Sequence, residues 1–143
     1  MIYSYRMTRA AELDSLEAFR DVVDDVCKEH DIGEDTAYDL KLAVDEACTN
    51  VVQHGYAGMN PGSIMLDLSV GDEEVEVRLT DFGHPFEPSS APTPDITLPL
   101  EERPEGGFGL FLIYQTMDEV DYVTSEAGNT LILRKRVEET SWK

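Results

Sequence analysis

DEACTNVVQHGY, residues 45–56, decides how the rest of this sequence is read. It has the pattern of the last turns of a helix. Glu46, Asn50 and His54 stand at i, i+4 and i+8, which stacks an acid, an amide and an imidazole along one face. Leu42, Ala43, Ala47, Val51 and Val52 lie mostly on other faces. A helix in a small domain needs only a buried apolar stripe, so this polar line is either a solvated surface or the wall of a site.

Upstream, the same helix is expected to begin near Glu34, after Gly33. Downstream it stops before Gly55, with Gly58 and Pro61 as further stop signals. Residues 2–9, IYSYRMTR, alternate as a strand. Leu13, Leu16, Phe19, Val22, Val23 and Val26 place a first helix over 11–30. SIMLDLSV and EVEVRLTD read as a hairpin around Gly71, Asp72 and Glu73.

From His84 to Gly107 the chain has no periodicity and holds all but one of its seven prolines, which marks a long loop, either functional or disordered. FGLFLIYQTM then reads as a short apolar helix. DEVDYVTSEA and NTLILRKRV form a last hairpin around Gly128 and Asn129. The order β, α, α, β, β, loop, α, β, β predicts an α+β, two-layer sandwich, with helices on one face of a mostly antiparallel mixed sheet. The 143 residues suit one domain, 1–143.

Thirty acids against eleven bases leave a formal net charge of −19. Such a surface repels phosphate backbones and anionic membranes and suits a basic protein partner. No run approaches the roughly 18 apolar residues of a membrane-spanning helix, and the first residues lack a signal-peptide layout, so a cytoplasmic location is expected. Cys27 and Cys48 have no metal-spaced partner and are expected to be buried free thiols.

Two further motifs combine with the opening stretch into a division of labour. An amide oxygen such as that of Asn50 is a hard ligand suited to Mg²⁺, which keeps most of its coordination for water and phosphate. A carboxylate one turn away, Glu46, is placed to deprotonate a hydroxyl. TDFGHPF, residues 80–86, ends a strand with Asp81 and turns at Gly83, holding a carboxylate able to accept a hydrogen bond from an exocyclic amine such as adenine's. PEGGFGLFLI, residues 104–113, puts Gly106, Gly107 and Gly109 where a loop becomes a helix, which lets backbone N–H groups approach phosphate.

EACTN with HGY, DFG and GGFGL, in that order, resemble the N-box and the two glycine boxes of the GHKL ATPase superfamily, the Bergerat fold of gyrase, MutL and histidine-kinase ATP domains. The chain is most similar to the stand-alone anti-sigma-factor serine/threonine kinases, from the first helix through NTLILRKR. The resemblance implies ATP and Mg²⁺ as cofactors, with Glu46 as catalytic base and Asn50 as metal ligand. It implies Asp81 and Gly83 at the adenine. Gly106, Gly107, Phe108 and Gly109 would form a phosphate-contacting loop within a lid over 84–107, with Arg103 a candidate for the terminal phosphate and Thr130 near the nucleotide. Arg20, on the first helix, falls where these proteins meet partners. The pattern departs at Pro85, where the first glycine box normally carries its second glycine. Proline fixes φ and removes an N–H, so a stiffer loop is expected there.

The implied function is an ATP-dependent anti-sigma factor that phosphorylates an anti-anti-sigma antagonist and sequesters a sigma factor by partner switching, without contacting nucleic acid or membrane, and as a homodimer. Two other readings stay open. One is an ATP/ADP-binding switch without kinase activity. The other is an acidic protein-interaction module with a degenerate nucleotide site.

Overall fold

The computed structural model describes residues 1–85 and 113–137. Strand β1 (Tyr3–Ala10) leads to helices α1 (Ser15–Glu29) and α2 (Glu34–Asn50). A π-helical turn, Val51–Gly55, follows α2 directly. Then come β2 (Ser63–Val70), β3 (Glu74–Asp81), a helical turn at 113–116, β4 (Glu119–Ser125) and β5 (Gly128–Arg136). The sheet order is β1-β2-β3-β5-β4, and every pairing is antiparallel. The α+β sandwich expected from the sequence is present. A parallel pairing, which a mixed sheet would include, does not occur among the described strands.

Strict alternation makes the sheet two-faced. Ile64, Leu66, Leu68 and Val70 of β2, with Val75, Val77 and Leu79 of β3, are all buried. They meet the α1 stripe of Leu16, Phe19, Val23 and Val26 and the α2 stripe of Leu40, Ala43, Val44 and Ala47 in one core. Each large side chain fully buried here, such as Phe19 or Leu66, contributes about 1.5–3 kcal/mol by leaving water. The other face carries ion pairs: Arg6 with Asp67, Glu76 with Arg78, and Arg134 with Glu76, Glu119 and Asp121.

Helix α1 begins at Ser15, later than the apolar spacing suggested, and Leu13 lies outside it, exposed. Both cysteines are free and buried, as expected. Burial pushes their thiols up, Cys27 to about 11 and Cys48 to about 12, so neither is a thiolate near neutral pH. No helix among the described residues is long and apolar enough to cross a membrane.

Ile113 belongs to the core and is fully buried. Lys135 of β5 secures the turn that follows it. Its ammonium donates to the Thr116 carbonyl at 2.6 Å and pairs with Asp39 of α2 at 3.3 Å, linking sheet, helix and turn.

Candidate functional site

The site forms where α2 ends. Its last α-helical residue is Asn50, and the next five, VVQHG, widen into the π-helical turn. The sequence pattern ran the α-helix on to His54. Such π turns recur at functional sites, and here carbonyls at the end of the turn and just beyond it are taken up by the segment after β3. His84 N–H donates to the Gly55 carbonyl at 2.6 Å, and His84 Nε2 lies 2.9 Å from the Ala57 carbonyl.

Tyr56 joins the same junction. It is buried, its hydroxyl donates to the Ser63 carbonyl at 2.8 Å, and it accepts from Phe82 N–H at 2.9 Å. Burial chiefly, with the Asp81 charge adding, pushes this hydroxyl above its ordinary value, against the donation from Phe82. Gly83 packs so tightly on the turn that an added Cβ would sit 2.1 Å from the Gly55 carbonyl oxygen. This contact admits glycine alone.

Asp81 closes β3 and is buried. Its Oδ1 accepts from Gly83 N–H at 2.9 Å and from Asn129 Nδ2 at 3.2 Å. Among the described residues nothing donates to Oδ2. Asn129 stands directly across from Asp81 in the β3–β5 register, which is why the amide reaches it. The same amide donates to the Gly83 carbonyl at 2.9 Å, and its oxygen accepts from Thr124. Asn129 is therefore the residue that holds the carboxylate and its turn together. Asn129→Ala is expected to cost about 1–3 kcal/mol, because it strips a buried carboxylate of a donor. Urea unfolding would read this, and an unchanged midpoint would show Asp81 to be held by other means.

A pocket opens between these elements. Asn50, His54 and Gly55 line it from the end of α2, Asp81 and Pro85 from the segment after β3, with apolar walls that include Leu79 and Ile113. The Asn50 amide has no hydrogen-bond partner among the described residues. Pro85 interrupts no hydrogen-bond ladder, since strand β3 has already ended at Asp81.

Of the residues picked out in sequence, the fold brings Asn50, Asp81 and Gly83 together. Glu46 lies one turn back from Asn50, half-buried, and does not line the pocket. Burial first, and the neighbouring Asp45 carboxylate second, raise its proton affinity above the ordinary glutamate value. Asp45 is tied to Arg20 of α1 by a 2.9 Å ion pair through Oδ2, while its buried Oδ1 has no partner among the described residues. Arg20 thus holds α1 against α2 as well as facing solvent. Thr130 reaches the site through Thr80, its hydroxyl 3.0 Å from that of Thr80, which lines the pocket. Arg103, Gly106, Gly107, Phe108 and Gly109, and the loop over 84–107 apart from His84 and Pro85, lie outside the described residues.

Sequence reasoning missed Asn129, Tyr56 and His84 as parts of the site. Tyr56 closes the quoted stretch, and its aromatic ring after HG was the one available signal. Asn129 read only as a turn residue, since nothing in a linear pattern tells which strand it faces.

Comparison with known proteins agrees with this architecture. Residues 9–135 match the family model of the histidine kinase-like ATPase domain. Serine-protein kinase RsbW of Bacillus cereus is 35% identical over 108 residues, 73% of this chain and 66% of that protein. The Bacillus mycoides protein of the same name is 34% identical over the same length. The match thus spans just under two thirds of these curated relatives. The fold is similar to the crystal structure of the RsbU and RsbW domains of a Mycobacterium tuberculosis protein, with TM-score 0.71 and 18% identity over 96% of this chain and 33% of that one. It is also similar to the blue-light activated histidine kinase of Erythrobacter litoralis, with TM-score 0.55 and 20% identity over 75% and 32% of the two chains. With the family model matching over residues 9–135, the chain belongs to the histidine kinase-like ATPase domain family.

Proposed function

We propose that this protein is an ATP-dependent serine/threonine kinase that also acts as an anti-sigma factor, phosphorylating a small antagonist and sequestering a sigma factor in alternation. The observation that carries the nucleotide site is Asp81. Asp81 is a buried carboxylate whose Oδ1 accepts from Gly83 N–H and the Asn129 amide, while its Oδ2 has no donor among the described residues. It lies in the same pocket as the Asn50 amide, which likewise has no hydrogen-bond partner among them. An exocyclic amine of a base would donate to that second oxygen.

In this reading Asp81 Oδ2 accepts from the adenine amine, while Asn129 and Gly83 hold Oδ1 still. The apolar wall of Leu79 and Ile113 shields the base from water. Asn50 holds Mg²⁺ through its amide oxygen. No group of three or more His, Cys, Asp or Glu among the described residues could form an all-protein metal cage. That suits a cation bound mainly by water and phosphate oxygens. Bound there, it would neutralise phosphate charge.

Glu46 takes the proton of the substrate serine hydroxyl, and a raised proton affinity suits a general base working nearer neutral pH. Phosphoryl transfer asks the protein chiefly for such positioning and charge balance. Thr130 supports the pocket wall through Thr80. Arg103 and the Gly106, Gly107, Phe108 and Gly109 segment contact the phosphates. The acidic surface attracts basic partner segments such as those of a DNA-binding sigma factor, with Arg20 in the docking face. The protein works as a homodimer in the cytoplasm, and residues 1–143 form one nucleotide-binding domain.

A second reading, a nucleotide-dependent switch without phosphoryl transfer, is favoured by one observation: Glu46 lies outside the pocket wall that Asn50 lines. The two readings share the site and differ only in the use of Glu46.

Thermal unfolding with and without Mg²⁺-ATP tests the shared part. At 100 times its dissociation constant, a ligand binding only the folded state adds roughly 2.7 kcal/mol. Wild type is expected to show a Mg²⁺-dependent rise in Tm that Asn50→Ala loses. No rise at millimolar ATP would remove both nucleotide readings and leave the acidic interaction module.

A further inference from the structure

We infer that His84 is a positioning residue for the bound nucleotide, clamping the turn after β3 onto the end of α2 so that the pocket wall is preformed. The inference rests on the nucleotide reading above. It starts from an unusual arrangement: His84 is bonded to the turn after α2 by both its main chain and its side chain. Its N–H donates to Gly55 at 2.6 Å, and its ring Nε2 lies 2.9 Å from the Ala57 carbonyl. A carbonyl oxygen only accepts, so Nε2 carries the hydrogen of this bond.

The ring is exposed, yet it lines the pocket together with Asp81 and Pro85. The other contacts of this junction lie deeper. Gly83 presses on Gly55, Phe82 N–H donates to the buried Tyr56 hydroxyl, and Asn129 grips Asp81. These hold the acid. The ring of His84 tethers the position just before Pro85.

Proline at 85 restricts its own φ and biases the preceding residue toward extended backbone. A pinned His84 next to a rigid Pro85 therefore extends the fixed wall by two residues, where two-glycine boxes of this type place a pliable loop. A wall fixed before the ligand arrives lowers the ordering cost of binding. Removing the ring leaves the main-chain bond to Gly55 in place and opens no cavity in the core, so its effect belongs to affinity and not to folding.

Isothermal titration with ATP and with ADP, in Mg²⁺, on wild type, His84→Ala and His84→Gln is the test, paired with the Tm of each ligand-free protein. The loss of one hydrogen bond predicts roughly fivefold weaker binding for His84→Ala, by the same factor for both nucleotides. Its ligand-free Tm should be unchanged. His84→Gln, which keeps a side-chain N–H within reach, should restore most of the affinity. Equal affinity of wild type and His84→Ala would overturn the inference while leaving the nucleotide site standing. So would a weakened His84→Ala whose ligand-free Tm falls in parallel and which Gln does not rescue, because that is a structural role. Wild type that binds neither nucleotide would remove the inference together with the reading beneath it.

Discussion

Glu46→Gln is expected to slow transfer of the γ-phosphoryl group to a serine substrate by about 10²–10⁴-fold, the usual contribution of a positioned general base. Gln is isosteric and neutral, so affinity for Mg²⁺-ATP should stay at the wild-type value, since Glu46 does not line the pocket. The assay needs a purified anti-anti-sigma-type protein as phosphoacceptor, with nucleotide binding measured separately. A variant that keeps full transfer would dismiss Glu46 as the base. A wild type that binds ATP and never phosphorylates would establish the switch.

The pH dependence follows from the same residue. A base works only when ionised, so the rate should fall as pH drops through the Glu46 pKa. Burial and Asp45 raise that pKa, so the acid limb should lie above the range of an ordinary glutamate. Asp45→Asn removes the repelling charge and should move the limb to lower pH. A limb that stays put in Asp45→Asn would mean that it reports another group.

Gly83→Ala should be the most damaging small substitution for stability, costing on the order of 3 kcal/mol, in the range of overpacked cores and broken networks. The new methyl would lie 2.1 Å from the Gly55 carbonyl oxygen and 2.5 Å from its carbon, both main-chain atoms with no rotamer to yield. Relief requires the Asp81–Gly83 turn to lift from the end of α2. That would break the Phe82 N–H bond to the Tyr56 hydroxyl and the His84 N–H bond to Gly55. Nucleotide binding should be lost with it, because Asp81 would no longer be held. Urea unfolding reads the first effect and titration with ATP the second. A variant of wild-type stability would show that the turn has room the packing denies it.

Gly128 is a second position closed to other residues, for two reasons at once. Its φ of +124° is unfavourable for any side chain, and a Cβ would meet the Asp81 carbonyl at 2.9 Å. Both glycines serve the same end, bringing main chain close around one carboxylate.

The identity of the five strands and of helices α1 and α2 was readable from periodicity because burial is local in effect. A strand with one wet face must alternate, as β2 and β3 do, and a helix against a sheet must carry a stripe, as α1 does through Phe19 and Val23. Asn50 and Asp81 were readable as site residues for a related reason: an amide at the end of a helix and an acid at the end of a strand stand out against the pattern that buries their neighbours. Leu13 misled, since one apolar residue in phase with a stripe does not say where the first hydrogen-bonded turn starts.

By itself, then, the sequence determined the five strands and the two long helices, the two-layer class, the acidic composition and the residues with chemistry to offer. The tertiary structure alone decided which of them meet. The Asp81 carboxylate owes its fixed orientation to Asn129, 48 residues later, through a register set by strand pairing. The wall beside it owes its shape to the bonds His84 makes with the carbonyls of Gly55, which ends the π-helical turn, and of Ala57, just beyond it. Hydrogen bonds between residues distant in sequence depend on the relative placement of whole elements, and that placement follows from packing the entire core. No short stretch encodes it, DEACTNVVQHGY included.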